Sequence, residues 1–214
     1  MGTKFDTCFF ERYAMISLRT LVSHRFDSLV NEDRPDLQSP DHRIGIEVTR
    51  AMEESKSAAT ALLLEMAGID IPADSAMETK RDYQEIMDSG YAYGLQSGKY
   101  IGRKEYEYWN LALPLRRIIE SKVSKVKSGF YGDYKEYGLY IFSKDQLSEE
   151  KIDAAMKYTA DLQEGASMYY SFLFISLSDG LYACDLSSGK KVFYPMDQQT
   201  CRTFFRKALD SNSE

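Results

Sequence analysis

Arg34-Pro35-Asp36 and, further along, Ile44-Gly45-Ile46-Glu47-Val48-Thr49-Arg50 decide how this chain is read, with ten residues separating Asp36 from Glu47. Side chains of an extended segment alternate between faces. Ile44, Ile46 and Val48 therefore point one way and need a core, while Gly45, Glu47 and Thr49 point the other. Glu47 stands beside a glycine that leaves room for a bulky neighbour and a threonine whose hydroxyl can donate or accept. Between the two acids, Ser39-Pro40-Asp41-His42 reads as a turn, because proline presets φ and Ser and Asp bond their own backbone. The expected result is a hairpin with Asp36 and Glu47 on adjacent strands. Two carboxylates so placed are hard oxygen ligands of the kind that suit Mg²⁺ or Mn²⁺, which keep waters and take phosphate oxygens as further ligands. That chemistry is the chemistry of phosphodiester cleavage. The plain alternative is an exposed hairpin whose acids face solvent, since Pro-Asp near a strand glutamate is a common pattern.

Composition narrows the field. At 214 residues, 43% hydrophobic and 28% charged, the chain reads as a single domain with room for a proper core. No apolar run approaches the roughly 20 residues of a spanning helix, so no membrane association is expected. The first residues, Met1-Gly2-Thr3-Lys4-Phe5-Asp6, contain no signal-peptide stretch, and a cytoplasmic protein is expected. Cys8, Cys184 and Cys201 are odd in number and far apart, which predicts reduced structural thiols. With only His24 and His42 present, a Cys/His zinc site is not expected, and any metal should be oxygen-bound. The net charge of −6 excludes a general nucleic-acid coat protein but permits a local basic site. Residues 115–127 supply one: Arg116, Arg117, Lys122, Lys125 and Lys127 against the single acid Glu120.

Outward from the hairpin, residues 8–30 read as a mostly buried helix. Glu11 shares the face of Met15, Leu18 and Val22, and its role is either a site carboxylate or a first-turn acid on the helix dipole. Residues 52–66 read as a helix ending at Gly68, and 68–110 as a helical or irregular insertion, with a helix at 73–89 and a tyrosine-rich stretch. A helix over 114–127, a turn at 128–132, a strand at 138–142 and a helix opening at Ser148 come next. Strands at 170–177, 181–186 and 191–195 are punctuated by Asp179-Gly180 and Ser188-Gly189, both hairpin signals. A helix over 197–209 closes the chain. This alternation is that of an α/β protein.

The helix at 114–127 carries a second signal. At about 100° per residue, Leu111, Leu115, Ile118, Ile119, Val123 and Val126 form one stripe, and Lys122 falls within it, with Lys125 flanking one turn on. A lysine directed into a core needs an anionic partner, because a buried unpaired ammonium is costly. Asp36 and Glu47 are suitable partners. The other reading is that Lys122 lays its stem on the core and its ammonium in water.

Taken together, the helix bearing Glu11, the Arg34-Pro35-Asp36 turn, the strand glutamate Glu47 and the lysine-bearing helix leading into Gly138-Leu139-Tyr140-Ile141-Phe142 resemble the PD-(D/E)XK nuclease superfamily over about residues 8–143. The resemblance implies a restriction-endonuclease-like core: a mixed central β-sheet flanked by helices, in the order helix, three strands, helix, strand, here with the 68–110 insertion and C-terminal strands added. The first strand of that set must lie in the short stretch 31–38. The resemblance also implies a metal-dependent nuclease using Mg²⁺ or Mn²⁺. Asp36 would match the first metal-binding aspartate and Glu47 the second acid, with the Val48 carbonyl as a further ligand and Glu11 as the helix glutamate some members add. Nucleic acid would be the partner, DNA ahead of RNA. Thr49 is a departure, standing where the family's strand lysine is expected. Either Lys122 or Lys125 takes over the lysine's function, with Thr49 holding a water, or the fold persists as an inactive module that binds nucleic acid or a protein.

Overall fold

Strand β3, Ile44–Arg50, lies inside the sheet with its first four residues buried. The computed structural model describes residues 8–51, 113–143 and 146–210. The expected helices at 52–66 and 73–89 and the 68–110 insertion lie outside the described residues.

The described chain forms one seven-stranded sheet with strands in sequence order. Strands β1 (Val30–Asn31), β2 (Leu37–Gln38) and β3 form an antiparallel meander. Strand β4 (Glu136–Phe142) runs parallel to β3, and β5 (Tyr170–Ser176) runs parallel to β4. Strands β6 (Gly180–Asp185) and β7 (Lys190–Pro195) return antiparallel. Parallel neighbours require long crossovers. Helix α2 (Leu113–Lys127) precedes β4, and helix α3 (Glu149–Leu162) connects β4 to β5. The remaining helices, α1 (Cys8–Ser17) and α4 (Gln198–Asp210), pack against each other. The chain is thus mixed α/β, with a mixed sheet flanked by helices.

Alternation along each strand sorts side chains into two cores. Ile44, Ile46, Tyr140, Phe142, Phe174 and Leu181 bury with α1 and α4, where they meet Phe9, Tyr13, Phe204 and Ala208. Leu139, Ile141, Leu173, Ile175 and Tyr182 bury on the opposite side with Leu115, Ile119 and Val123 of α2 and Ile152, Ala155 and Met156 of α3. The apolar set expected in β3 is therefore the α1–α4 face, and Glu47 lies on the α2 face. Because α2 covers that face, Glu47 is buried.

The helix expected over 8–30 is shorter. After α1 the chain passes through a wider π turn at Leu18–Val22 and breaks at Ser23, which is fully extended at φ −168°. The hydroxyl of Ser23 then accepts from the N–H of Arg25 to start a single 3₁₀ turn at His24–Phe26. Apolar residues covering most of this stretch do not distinguish a continuous helix from one that turns to bury Phe26 and Leu29. The other helix and strand limits agree with expectation to within two residues.

Candidate active site at the Asp36 and Glu47 carboxylates

The hairpin that carries the two acids is held by contacts its sequence specifies. Leu37 pairs with Ile46 and Gln38 with Gly45, and the same register continued one residue sets Asp36 opposite Glu47. Oδ2 of Asp36 accepts from the N–H of Val48 at 2.7 Å, and its carbonyl accepts from Glu32 N–H at 3.0 Å. Gln38 ties down the turn before it, donating to the carbonyls of Pro35 at 2.9 Å and Asp33 at 3.1 Å. Gly45 is required here: a Cβ would lie 2.8 Å from Pro35 Cγ and 2.9 Å from Tyr134 Cγ. The bulky neighbours for which the glycine makes room are the proline of the turn and Tyr134.

Lys122 reaches across from α2 and places its Nζ 2.5 Å from Oε1 of Glu47. The lysine side chain is 14% exposed and that of Glu47 9%, so the ammonium does not reach out to water. This is the contact that a lysine in an apolar stripe calls for. Lys125 goes elsewhere, its ammonium lying over the ring of Phe130 at 5.2 Å. Glu11 accepts from Asn31 Nδ2 at 2.9 Å from the first turn of α1, and its charge is felt at Asp36. Thr49 is half-buried two residues beyond Glu47 on the same side of β3. Val48 contributes its N–H to Asp36. The structure thus brings together Asp36, Glu47 and Lys122, with Glu11 within electrostatic reach, and separates Lys125 from them.

Two tyrosines complete the surroundings. The Tyr131 side chain is 1% exposed, and its hydroxyl lies near Glu47, Asp36 and Tyr170, yet no partner completes a hydrogen bond of good geometry. Tyr170 donates to the Lys122 carbonyl at 3.3 Å. Burial, the Glu47 charge and the Asp36 charge all push the Tyr131 hydroxyl above the usual phenol range. In sequence, 128–132 shows only a turn. The available signal was a tyrosine between Gly129 and Gly132, both at positive φ, immediately after the lysine-bearing helix.

The electrostatic state of the site follows from its composition. Burial and then the neighbouring Glu47 raise the carboxyl of Asp36 from 3.8 to about 7, Glu11 adds to the rise, and the Val48 N–H and Lys122 oppose it. Among the described residues, Asp36 thus has the charges of Glu47 and Glu11 against it and that of Lys122 in its favour. Such an excess of negative charge is relieved by a proton or by a cation. Asp36 and Glu47 fit a hard divalent ion: their oxygens are of the right type, their mutual charge raises the Asp36 carboxyl, and the buried Tyr131 hydroxyl beside them completes no hydrogen bond of good geometry. Among the described residues, no group of three or more His, Cys, Asp or Glu side chains converges as a ready-made metal cage. A site of two carboxylates fits Mg²⁺ better than Ca²⁺, because Mg²⁺ retains water and takes few protein ligands.

Other features do not compete with this one. A surface cavity of about 220 Å³ beside α3 is lined by residues such as Gln163, Ala166 and Tyr169, none of them charged. Cys184 and Cys201 are buried and free, and burial pushes the Cys184 thiol up to about 12, which leaves it unreactive. Among the described residues no helix is long and apolar enough to cross a membrane. Much of the basic character of α2 is spent internally: Arg116 binds Glu120 at 2.7 Å and the hydroxyl of Tyr158 at 2.8 Å, and Lys127 binds the Leu162 carbonyl at 3.1 Å. No family model, curated protein or solved structure matches this chain.

Proposed function

We propose that the protein is a metal-dependent phosphodiesterase acting on nucleic acid, with Asp36 and Glu47 as the ligands of one Mg²⁺ or Mn²⁺. The observation that carries this reading is the juxtaposition of the half-buried Asp36 with the buried Glu47, whose carboxylate pairs with the Lys122 ammonium from another element. Support also comes from topology. A helix, an antiparallel meander whose third strand bears the second acid, a helix and a parallel fourth strand follow one another, which is the order that the resemblance to PD-(D/E)XK nucleases implies for a restriction-endonuclease-like core.

When bound, the ion supplies Lewis acidity, lowering the pKa of a water and polarising a phosphate. The chain's own residues do the rest. Asp36 is aimed by the Val48 N–H, and its second oxygen is left for a ligand. The Val48 carbonyl is the further oxygen that the resemblance assigns to the site. Lys122 holds Glu47 in one rotamer and places positive charge where a phosphorane would develop negative charge. It does from α2 what a strand lysine at position 49 would do from β3. Thr49 offers a hydroxyl to hold a water, and Glu11 adds negative charge that favours the cation over a proton. Asp36→Ala and Glu47→Ala should each lower Mn²⁺-dependent cleavage of single- and double-stranded DNA and RNA at least a hundredfold while leaving the fold intact by circular dichroism. Full retention of metal-dependent cleavage by either variant would exclude the assignment.

A second reading has its own support: Thr49 stands at the lysine position, and Lys122 is committed to Glu47 at 2.5 Å. On that reading the chain keeps a nuclease-like scaffold to bind nucleic acid or a protein without cutting. The wild-type protein would then bind without Mn²⁺-dependent turnover.

A further inference from the structure

Phe130 is 46% exposed, and two cations lie over its ring, the Arg34 guanidinium carbon at 5.4 Å and Lys125 Nζ at 5.2 Å from the centroid. The fold gains little from this arrangement. Arg34 is itself 61% exposed, and its ion pair with the more exposed Asp33 spans 3.3 Å in open solvent, where such pairs contribute little. In a chain of net charge −6 the cluster is a local reversal of sign built around an aromatic face.

Each member stands one step from the carboxylate site. Arg34 is two residues before Asp36, and Lys125 is one helical turn beyond Lys122. Phe130 packs edge-to-face on Tyr131 at 5.3 Å, and the Tyr131 hydroxyl lies beside Glu47. The three residues therefore form a rim on the elements that carry the acids and their lysine, joined to the site through Tyr131.

The chemistry of that rim is specific. Arg and Lys donate to phosphate oxygens, the guanidinium in bidentate fashion. An exposed ring stacks on a nucleobase, but only on an unpaired one, since paired bases are already stacked inside their duplex. Two phosphate donors grouped with a ring that is 46% exposed supply the kinds of group that one nucleotide of a single strand engages. A phosphorylated peptide would use the two cations and leave the ring idle.

We propose that Arg34, Lys125 and Phe130 form a subsite for an unpaired nucleotide, so that the Asp36–Glu47 pair receives single-stranded nucleic acid or a frayed end in preference to duplex interior. The choice of nucleic acid as ligand rests on the function proposed above; the preference for an unpaired base rests on the rim.

The test is fluorescence anisotropy of the full chain in EDTA, with a labelled 12-nucleotide single strand, the blunt duplex of the same sequence and a phosphoserine peptide as probes. The single strand should bind at least tenfold tighter than the duplex or the peptide. Phe130→Ala should weaken single-strand binding about tenfold or more and leave duplex binding and the melting temperature unchanged. Phe130→Leu, which keeps the apolar bulk without the aromatic face, should fall close to Phe130→Ala. Arg34→Gln/Lys125→Gln should reduce the salt dependence of single-strand binding by a slope of about 1.4. Wild-type affinity in Phe130→Ala, or duplex or peptide binding as tight as the single strand, would overturn the subsite. The two proposals fail separately. Metal-dependent cleavage without Phe130-dependent binding removes the subsite alone, whereas Phe130-dependent binding by a protein that never cleaves removes the nuclease and keeps the subsite.

Discussion

At the residue scale, Asp36, Glu47 and Lys122 bring three charges to one place that is half-buried at Asp36 and buried at Glu47. Lys122 and Glu47 are paired at 2.5 Å with little solvent around them, so removing one partner strands the other. Lys122→Met should cost about 3 kcal/mol in urea unfolding, and adding Glu47→Gln in the same chain should recover most of it, because the penalty is the uncompensated charge. Asp36 makes the complementary prediction. Its carboxyl titrates near 7 in the folded chain against 3.8 ordinarily, so the folded state holds more protons than the unfolded chain between pH 4 and 7. This contribution to stability is fully present below pH 4 and is lost as pH rises through 7. Asp36→Asn should remove it, shrinking the stability difference between pH 5 and pH 8.5 by about 1–2 kcal/mol once partial solvation is allowed for. An unchanged difference between those two pH values would place the buried charge elsewhere.

At the element scale, the decisive object is the hairpin from Arg34 to Arg50, packed under α2. Gly45→Ala should cost about 2–3 kcal/mol in urea unfolding, because the added methyl meets Pro35 and Tyr134 at under 3 Å and must push the turn that aims Asp36. A Gly45→Ala protein as stable as wild type would show that the turn yields freely. Much of this element was legible in the sequence. Period-two alternation gave β3 its two faces, and period 3.6 singled out Lys122 as the polar residue in an apolar stripe. What was not legible shares a physical cause. The break at Ser23 and the two-residue strand β1 carry no periodicity of their own, since their conformations are set by the burial of Phe26 and Leu29 beneath the sheet. Periodicity likewise placed Lys122 and Lys125 one turn apart without separating their fates. The difference arises from Phe130, which captures Lys125. Tyr131 was hidden because a turn has no face, and only the sheet above it turns its hydroxyl toward Glu47.

At the scale of the whole molecule, the sheet sets the helical pairs apart: α1 and α4 on one side bury a largely aromatic core, and α2 and α3 on the other bury a second apolar core, with α2 bringing Lys122 to Glu47. The net charge of −6 works against nonspecific attraction to phosphates, so the proposed nucleic-acid binding would rest on local features around Asp36, Glu47 and Phe130. Whether Asp36 and Glu47 hold a divalent cation, as proposed, is read out by calorimetric titration of Mn²⁺ at pH 7. One site per chain is expected, lost in Asp36→Ala, with release of about half a proton as the Asp36 carboxyl, raised to about 7, gives way to the ion. The absence of a saturable site, or a site that survives Asp36→Ala with its affinity and proton release unchanged, would contradict it.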